Sequence, residues 1–146
     1  MQKLNFPSYP LRLKSNENKT LIFDIVRKKY VVLTPEEWVR QHVIFYLTQE
    51  KKYPLSLIAV EKQLKINKMI KRSDIVIFNS DGNPEILVEC KAPYIEISQH
   101  TFDQIARYNL AIRSTYLMVT NGLTHYYCQI DNDKEAYIFL REIPEY

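Results

Sequence analysis

The strongest constraint on the fold of this chain is a pair of apolar runs, residues 73–79 and 85–91, on either side of Asp81-Gly82. Asp-Gly between apolar runs predicts a β-hairpin with a two-residue type I′ turn. Because side chains alternate across a strand, one face of this hairpin receives Ile75, Ile77, Ile86, Val88 and Cys90, and the other receives Val76, Phe78 and Leu87. Two apolar faces predict central strands of a sheet that is covered on both sides.

A two-residue turn also sets charged residues side by side at the open end of the hairpin. The pairs that follow are Phe78 with Glu85, Val76 with Leu87 and Asp74 with Glu89. A bulge at Pro84 would shift this pairing by one residue. In the unshifted register the Cβ atoms of the two facing acids lie about 4.5–5.5 Å apart. Lys91 follows on the face of Glu89, about 6.6 Å further along the strand.

Two acids at this spacing need a cation, because their mutual repulsion otherwise raises a pKa. Lys91 is one candidate. A hard divalent ion, Mg²⁺ or Mn²⁺, is another, since it takes carboxylate oxygens, keeps several waters and accepts phosphate oxygens. Such an ion on Asp74 and Glu89 would activate water against a phosphodiester, and the lysine would neutralise the charge that develops on the phosphate. The alternative is a buried ion cluster with a structural role.

The order of the remaining elements predicts an α/β fold, with a mixed sheet, one helix before it and one helix within it. Thr34 is the expected N-cap of the first helix, with Pro35 at its first position and Glu37 completing a capping box. The elements are strands at 20–24 and 29–33, a helix from 34 to about 49, a strand at 56–66, the hairpin, a helix from 98 to about 113, and strands at 115–120, 125–130 and 136–140. Residues 1–19 are expected to be an irregular lead-in to one domain spanning 1–146.

Composition excludes some function classes. Two glycines cannot form a glycine-rich phosphate loop, which argues against a nucleotide-driven motor. No apolar stretch reaches the roughly 20 residues that span a bilayer, and the first residues lack the apolar core of a signal peptide, so a cytoplasmic location without a membrane partner is expected. Two distant cysteines predict free thiols.

The net charge of +3 permits a polyanionic partner. Basic residues cluster at Arg27, Lys28 and Lys29, and again at Lys65, Lys68, Lys71 and Arg72. Each cluster is either a surface for phosphate or a solvated charged face.

Five segments together resemble one known family. They are TPEEWVRQ (34–41), DIVIF (74–78), ECKAP (89–93), QIARY (104–108) and VTNG (119–122). In this order they resemble the N-terminal nuclease domain of the R subunit of type I restriction enzymes, over roughly residues 20–125. That domain belongs to the PD-(D/E)xK nuclease superfamily. The resemblance implies a restriction-endonuclease-like α/β core and Mg²⁺-dependent cleavage of DNA.

The resemblance also implies roles for residues that match the motifs of the family. Asp74 and Glu89 correspond to metal ligands, and Lys91 corresponds to the catalytic lysine. Gln104 and Tyr108 match a helix motif that supports the site and contacts DNA, and residues four apart share a helix face. A capping box between Thr101 and Gln104 is the competing interpretation.

The first helix of such nucleases often adds a glutamate to the site. Glu36 lies nearer the inward face of the predicted helix than Glu37, which is engaged in capping, so Glu36 is favoured. Arg40 shares that face and is a candidate contact to DNA phosphate, as is Arg72. Compensation of the helix dipole is the alternative role for both acids.

The chain departs from the family pattern in two respects. Nothing in it corresponds to a helicase motor or a target-recognition domain, and Ser73 stands where the superfamily name has proline. Two functions therefore stay open: a metal-dependent DNA nuclease, and a non-catalytic DNA-binding or assembly module that keeps the fold. A homodimer is expected, because a small nuclease needs a second subunit to cut both strands. An unidentified protein partner at a sheet edge is a further alternative.

Overall fold

The computed structural model describes residues 1–66 and 69–146, and the side chains of these residues apart from 66, 69 and 71. The strands are β1 (Leu13–Asn16), β2 (Lys19–Asp24), β3 (Lys29–Val32), β4 (Ile58–Ile66), β5 (Met69–Phe78), β6 (Pro84–Cys90), β7 (Tyr116–Thr120), β8 (His125–Asp131) and β9 (Ala136–Leu140). The helices are α1 (Pro35–Phe45), which continues as a π-helical turn at Tyr46–Glu50, and α2 (Gln99–Ile112), and a 3-10 turn at Leu55–Leu57 precedes β4.

The strands form two sheets. The smaller has the order β1-β2-β3 and is antiparallel. The larger has the order β4-β5-β6-β7-β8-β9, and within it β6 and β7 run parallel while the other neighbours run antiparallel. This mixed sheet with its two helices confirms the predicted α/β class.

Each helix covers one face of the larger sheet. The buried residues of α1 pack with those of one sheet face: Val39, Val43, Ile44, Ile75, Ile77, Ile86, Val88 and Met118. The buried residues of α2 pack with those of the opposite face: Phe102, Ile105, Ala106, Val76, Leu87, Leu117, Val119 and Cys128. The prediction that β5 and β6 are central strands with two apolar faces is confirmed.

The turn between β5 and β6 is longer than predicted. Gly82 has a positive φ of 84°, but Asp81 does not, so a two-residue type I′ turn is wrong. The amide of Gly82 donates to the carbonyl of Asn79 at 3.0 Å. The side-chain oxygen of Asn79 also accepts from the backbone N–H groups of Asp81 and Asn83, at 2.9 and 3.0 Å. The asparagine side chain thus stabilises a wider turn, as Asx residues commonly do.

The wider turn changes the pairing next to it without moving the far end of the hairpin. Phe78 pairs with Pro84 and not with Glu85, and the register shifts between Ile77 and Phe78. Beyond that bulge, Val76 still pairs with Leu87 as predicted. The open end of the hairpin therefore keeps the predicted register.

The N-terminal segment is more ordered than predicted. β1 lies inside residues 1–19 and pairs with β2, so an irregular lead-in is wrong for this stretch. All four residues of β1 are exposed, and a strand without a buried face has no apolar alternation to detect. Upstream of β1, Leu4 is 4% exposed and contacts the position that a side chain on Gly122 would take.

Capping of the two helices decides two of the earlier alternatives. Thr34 caps α1 as predicted, because its hydroxyl accepts a hydrogen bond from the amide of Glu37 at 3.0 Å. The Glu37 carboxylate, which a capping box would direct back to the amide of Thr34, instead binds the side chains of Arg27, Arg40 and Gln41, so the predicted capping box is wrong. Ser98 caps α2 and accepts from the amide of Thr101 at 3.1 Å. Thr101 therefore lies inside the helix, and a capping box between it and Gln104 is wrong.

The two cysteines are buried free thiols, as predicted. None of the helices in residues 1–66 and 69–146 combines the length and the apolarity needed to cross a membrane.

Candidate active site

Asp74 and Glu89 lie on the neighbouring strands β5 and β6. Ile75 pairs with Val88, and Asp74 and Glu89 are the next residues on the two strands beyond this pair. The backbone amide of Cys90 donates to Asp74 Oδ2 at 2.7 Å, which fixes this carboxylate against β6. Asp74 thus lies inside β5, beside the C-terminal end of β6 where Glu89 is located.

Lys91 follows directly after the end of β6. Its backbone amide donates to the carbonyl of Thr120 at 2.8 Å, so the main chain stays anchored to β7 at this point. The side chain is half-buried, and its charge lowers the pKa of Glu36 on α1. Lys91 therefore lies within electrostatic reach of the helix that borders the two acids.

Arg40 is the central cation of this region. Its guanidinium lies 3.0 Å from Asp74 Oδ1, 3.2 Å from Glu36 Oε1, 2.8 Å from Glu37 Oε1 and 3.6 Å from Glu61 Oε1. The side chain is 5% exposed. Burial works against the charged form, but the charges of Glu37 and Asp74 raise the pKa of Arg40 above its ordinary value. One buried arginine thus joins α1 to β4 and β5.

Arg27 extends the network of ion pairs on the same side. It contacts Asp24, Glu37 at 2.8 Å and Glu61 at 3.4 Å, and Gln41 donates to the other Glu37 oxygen at 3.1 Å. Burial opposes ionisation of Asp24, but hydrogen bonds from Arg27 lower the pKa of this carboxyl. We call the connected set Asp24, Arg27, Glu36, Glu37, Arg40, Glu61 and Asp74 the arginine–carboxylate network. Arg27 belongs to it, and not to a basic surface cluster with Lys28 and Lys29.

Glu36 and Glu37 have different environments. The side chain of Glu37 is 8% exposed and lies between two arginines, whereas that of Glu36 is 47% exposed. Burial and the charge of Asp74 raise the pKa of Glu36, while the charges of Arg40 and Lys91 lower it. Glu36 is thus the more accessible of the two carboxylates, and the charge of Asp74 acts on it.

The helix motif of α2 approaches the site from the other face of the sheet. Gln104 is exposed and Tyr108 is half-buried, one turn further along the helix. Partial burial and the charge of Glu89 raise the pKa of Tyr108, so this phenol lies close to the Glu89 carboxylate. The structure therefore brings Tyr108 to the predicted site, and it places Gln104 on the adjoining surface.

The two arginines predicted to contact DNA differ in accessibility. Arg72 is exposed on β5, two residues before Asp74, where a phosphate can reach it. Arg40 faces inward onto carboxylates, which makes it an internal counterion and not an exposed contact. Of the second basic cluster, Lys65 is exposed, whereas Lys68 and the side chain of Lys71 lie outside the described residues.

The donor atoms suit an open metal site and not a closed cage. In the part of the chain that the structure describes, no three His, Cys, Asp or Glu side chains are arranged to hold an ion. Magnesium, however, is commonly bound by one or two carboxylates, with waters and substrate phosphates completing its octahedron. Asp74 and Glu89 supply that number of hard oxygen ligands, so the pair fits Mg²⁺ or Mn²⁺ held jointly with a phosphate.

Several members of the network could not be found from the sequence. Glu61 enters it because β4 pairs with β5, with Val60 opposite Ile75 and Lys62 opposite Ser73, which sets Glu61 beside Asp74. The one available signal is a carboxylate in the middle of a strand. Nothing in the local pattern ties Arg27 or Gln41 to this place.

Comparison with known proteins supports the resemblance in the sequence motifs. No curated protein matched the chain. The family model described as type I restriction enzyme R protein N terminus (HSDR_N) matches residues 35–144, which include α1, α2, the whole six-stranded sheet and the site residues above apart from Asp24 and Arg27. The match covers most of the 146 residues, and the chain therefore belongs to the family of type I restriction enzyme R protein N termini.

Proposed function

We propose that this protein is a metal-dependent DNA nuclease of the PD-(D/E)xK type. The observation that carries the proposal is the meeting of Asp74 and Glu89 on paired strands, with Lys91 following and Glu36 beside them. Membership of a restriction-enzyme family makes DNA the expected substrate. The reaction is hydrolysis of a phosphodiester bond.

Asp74 and Glu89 are the residues that would hold Mg²⁺ or Mn²⁺. The ion, when bound, lowers the pKa of a coordinated water and polarises the phosphate. Lys91 places an ammonium beside the pair and neutralises the charge that develops on the phosphate oxygens. Glu36, whose pKa is raised, accepts a hydrogen bond or a proton from water at the open side of the site.

Arg40 acts within the site by neutralising its carboxylates. Four acids within 3.6 Å of its guanidinium would otherwise repel each other and the DNA backbone. Arg72, Gln104 and Tyr108 lie around the opening, where they position the strand by contacts to phosphates. The protein thus supplies a rigid, partly neutralised cradle for one scissile phosphate.

The second candidate function is a DNA-binding or assembly module without catalysis. The short contact between Arg40 and Asp74 Oδ1, at 3.0 Å, favours it, because an arginine already satisfies an oxygen that a metal would use. In that case the arginine–carboxylate network is a structural ion cluster that joins α1 to β4 and β5.

Calorimetric titration of Mg²⁺ and Mn²⁺ into the wild type and Lys91→Ala tests the proposal, with the same samples assayed on nicked, branched and linear DNA. We expect both proteins to bind metal and Lys91→Ala to cleave at least about a hundredfold more slowly, the usual cost of losing one charge-stabilising group. Lys19→Ala is the matched control, since Lys19 is exposed at the start of β2 and should leave cleavage unchanged.

Asp74→Asn separates metal binding from folding. An asparagine oxygen can still accept from the Cys90 amide, so the fold should persist while the heat of metal binding falls. If the wild type neither binds metal nor cleaves DNA, the non-catalytic DNA-binding or assembly module is the remaining function. DNA binding by that inactive protein would support this second function directly.

A further inference from the structure

The six-stranded sheet ends in two edge strands, β4 and β9, that differ in how they expose their backbone. β4 carries Glu61, Lys62, Gln63 and Lys65, and its ladder to β5 is interrupted at Glu61, which has a φ of 51°. Charged side chains and a local irregularity are the usual means by which a protein prevents an edge strand from pairing with another chain. β4 is therefore a protected edge.

β9 has none of these protections. Its sequence is Ala-Tyr-Ile-Phe-Leu, without charge, proline or break in its pairing with β8. Ile138 is 66% exposed and Phe139 is 51% exposed, so apolar side chains reach water on both faces. Within the described residues, no strand pairs with the outer side of β9. An apolar, regular and unpaired edge is a template for strand addition.

We propose that β9 pairs antiparallel with β9 of a second copy of this chain, about a two-fold axis at Ile138, to make one continuous sheet. The five residues and their flanks are self-complementary about that axis. The strand pairs are Ile138 with the partner's Ile138, Tyr137 with the partner's Phe139, and Ala136 with the partner's Leu140. Glu135, in the turn just before β9, and Arg141, just after it, flank these pairs, so each Glu135 side chain lies next to the partner's Arg141.

Two kinds of side-chain pair favour this register. Tyr137 and Phe139 already pack on Phe102, with ring centroids 5.4 and 5.1 Å apart, so each presents a fixed ring to the partner. Aromatic and opposite-charge pairs across neighbouring strands are both stabilising, and a two-fold axis makes each of them twice.

The charges at the ends of β9 are free to make such pairs. Glu135 and Arg141 are both exposed, and neither has an ion-pair partner among residues 1–66 and 69–146. An axis at Phe139 instead would oppose Tyr137 to the partner's Arg141 and leave Glu135 without a basic partner. Of these two registers, the axis at Ile138 is the one that matches both the charges and the aromatic rings.

Sedimentation equilibrium on the wild type, Glu135→Arg, Arg141→Glu and the double exchange tests the register. We expect a dimer for the wild type, dissociation constants raised on the order of tenfold for each single variant, and recovery in the double variant. All changed positions are exposed, so each variant should keep the circular dichroism spectrum of the wild type. Lys62→Glu, on the protected edge, is the matched control and should leave dimerisation unchanged.

Ile138→Lys provides a second, independent variant, because it places two ammonium groups against each other at the axis. We expect it to be monomeric. A wild type that stays monomeric at its highest soluble concentration would overturn the proposal, as would a dimer that none of these changes weakens. The measurement needs neither DNA nor metal, so it stands or falls separately from the nuclease proposal.

Discussion

Helices α1 and α2 cover opposite faces of the same sheet and hold it by different interactions. Between Pro35 and Phe45, α1 buries Glu37, Arg40 and Gln41 together with its apolar residues. The buried residues of α2 are Phe102, Ile105, Ala106 and Asn109, with no charged residue among them. The difference shows that the candidate site is organised mainly from the α1 side, while α2 reaches it through Tyr108.

The physical reason lies in where each helix meets the strand ends. The first turns of α1 border the open end of the β5–β6 hairpin, where Asp74 and Glu61 need a cation. A buried carboxylate is tolerated only when it is paired and hydrogen-bonded. Arg40 and Arg27 therefore pack against these acids as their counterions. α2 packs over the apolar part of the strands and needs no such compensation. The helices should therefore respond differently to substitution.

Arg40→Met should show the largest effect. Removing the guanidinium takes from half-buried Asp74 the arginine that contacts it and leaves buried Glu37 with one arginine, Arg27, in place of two, and breaking a buried ion pair in this way costs about 3–5 kcal/mol in the free energy of unfolding. Urea unfolding followed by circular dichroism measures it. Arg107→Met, an exposed position on α2, is the matched control and should change stability by no more than about 0.5 kcal/mol. Equal losses of unfolding free energy for the two variants would contradict the view that buried charges stabilise the packing of α1 but not that of α2.

Phe102→Leu should show a smaller effect on the α2 side. The ring lies 5.9 Å from Tyr126, 5.4 Å from Tyr137 and 5.1 Å from Phe139, between centroids, and leucine keeps the apolar contact while losing these aromatic pairs. We expect a loss of about 1 kcal/mol, because aromatic pairs add about 0.5–1.5 kcal/mol beyond the area they bury. Thermal unfolding at pH 5 and pH 7 should give the same loss, since no charge is involved. A strong dependence on pH would mean that α2 also supports the network electrostatically.

The smallest expected change is a shift in the pKa of Glu36. It tests whether Asp74 and Lys91 act electrostatically on this residue of α1. Burial and Asp74 raise this pKa above the ordinary value of 4.5, so ionised Glu36 opposes folding. Its favourable contribution is present below the unfolded pKa and is lost as the pH rises through the folded pKa. Asp74→Asn should therefore lower the pKa of Glu36, and Lys91→Ala should raise it.

Carbon-detected NMR titration of the side-chain carboxyls measures both shifts. Glu96 is exposed outside the helices and strands, and its carboxyl signal serves as the internal reference. If neither substitution moves Glu36, this glutamate does not share the electrostatic environment of Asp74 and Lys91, and it would have to be removed from the candidate site.

Much of the fold was predictable because it rests on local patterns. Alternation of apolar residues located β5 through β9, the predicted cap Thr34 located the start of α1, and the helical pattern from residue 98 located α2. The failures have local causes too. The side chain of Asn79 accepts hydrogen bonds from two backbone amides and so stabilises a wider turn than the predicted two-residue turn. β1 has no buried side chain, so its sequence lacks the apolar alternation from which a strand is predicted.

The sequence by itself determined that Asp74, Glu89 and Lys91 lie in the same part of the β5–β6 hairpin, because their spacing follows from hairpin register, a property of neighbouring segments. Only the tertiary structure decided what surrounds them. Glu61, Arg27 and the inward turn of Arg40 depend on β4 and α1 meeting β5. The Arg27–Glu61 and Arg40–Asp74 contacts each join residues 34 positions apart, and ion pairing at such a separation produces no periodic pattern in a sequence.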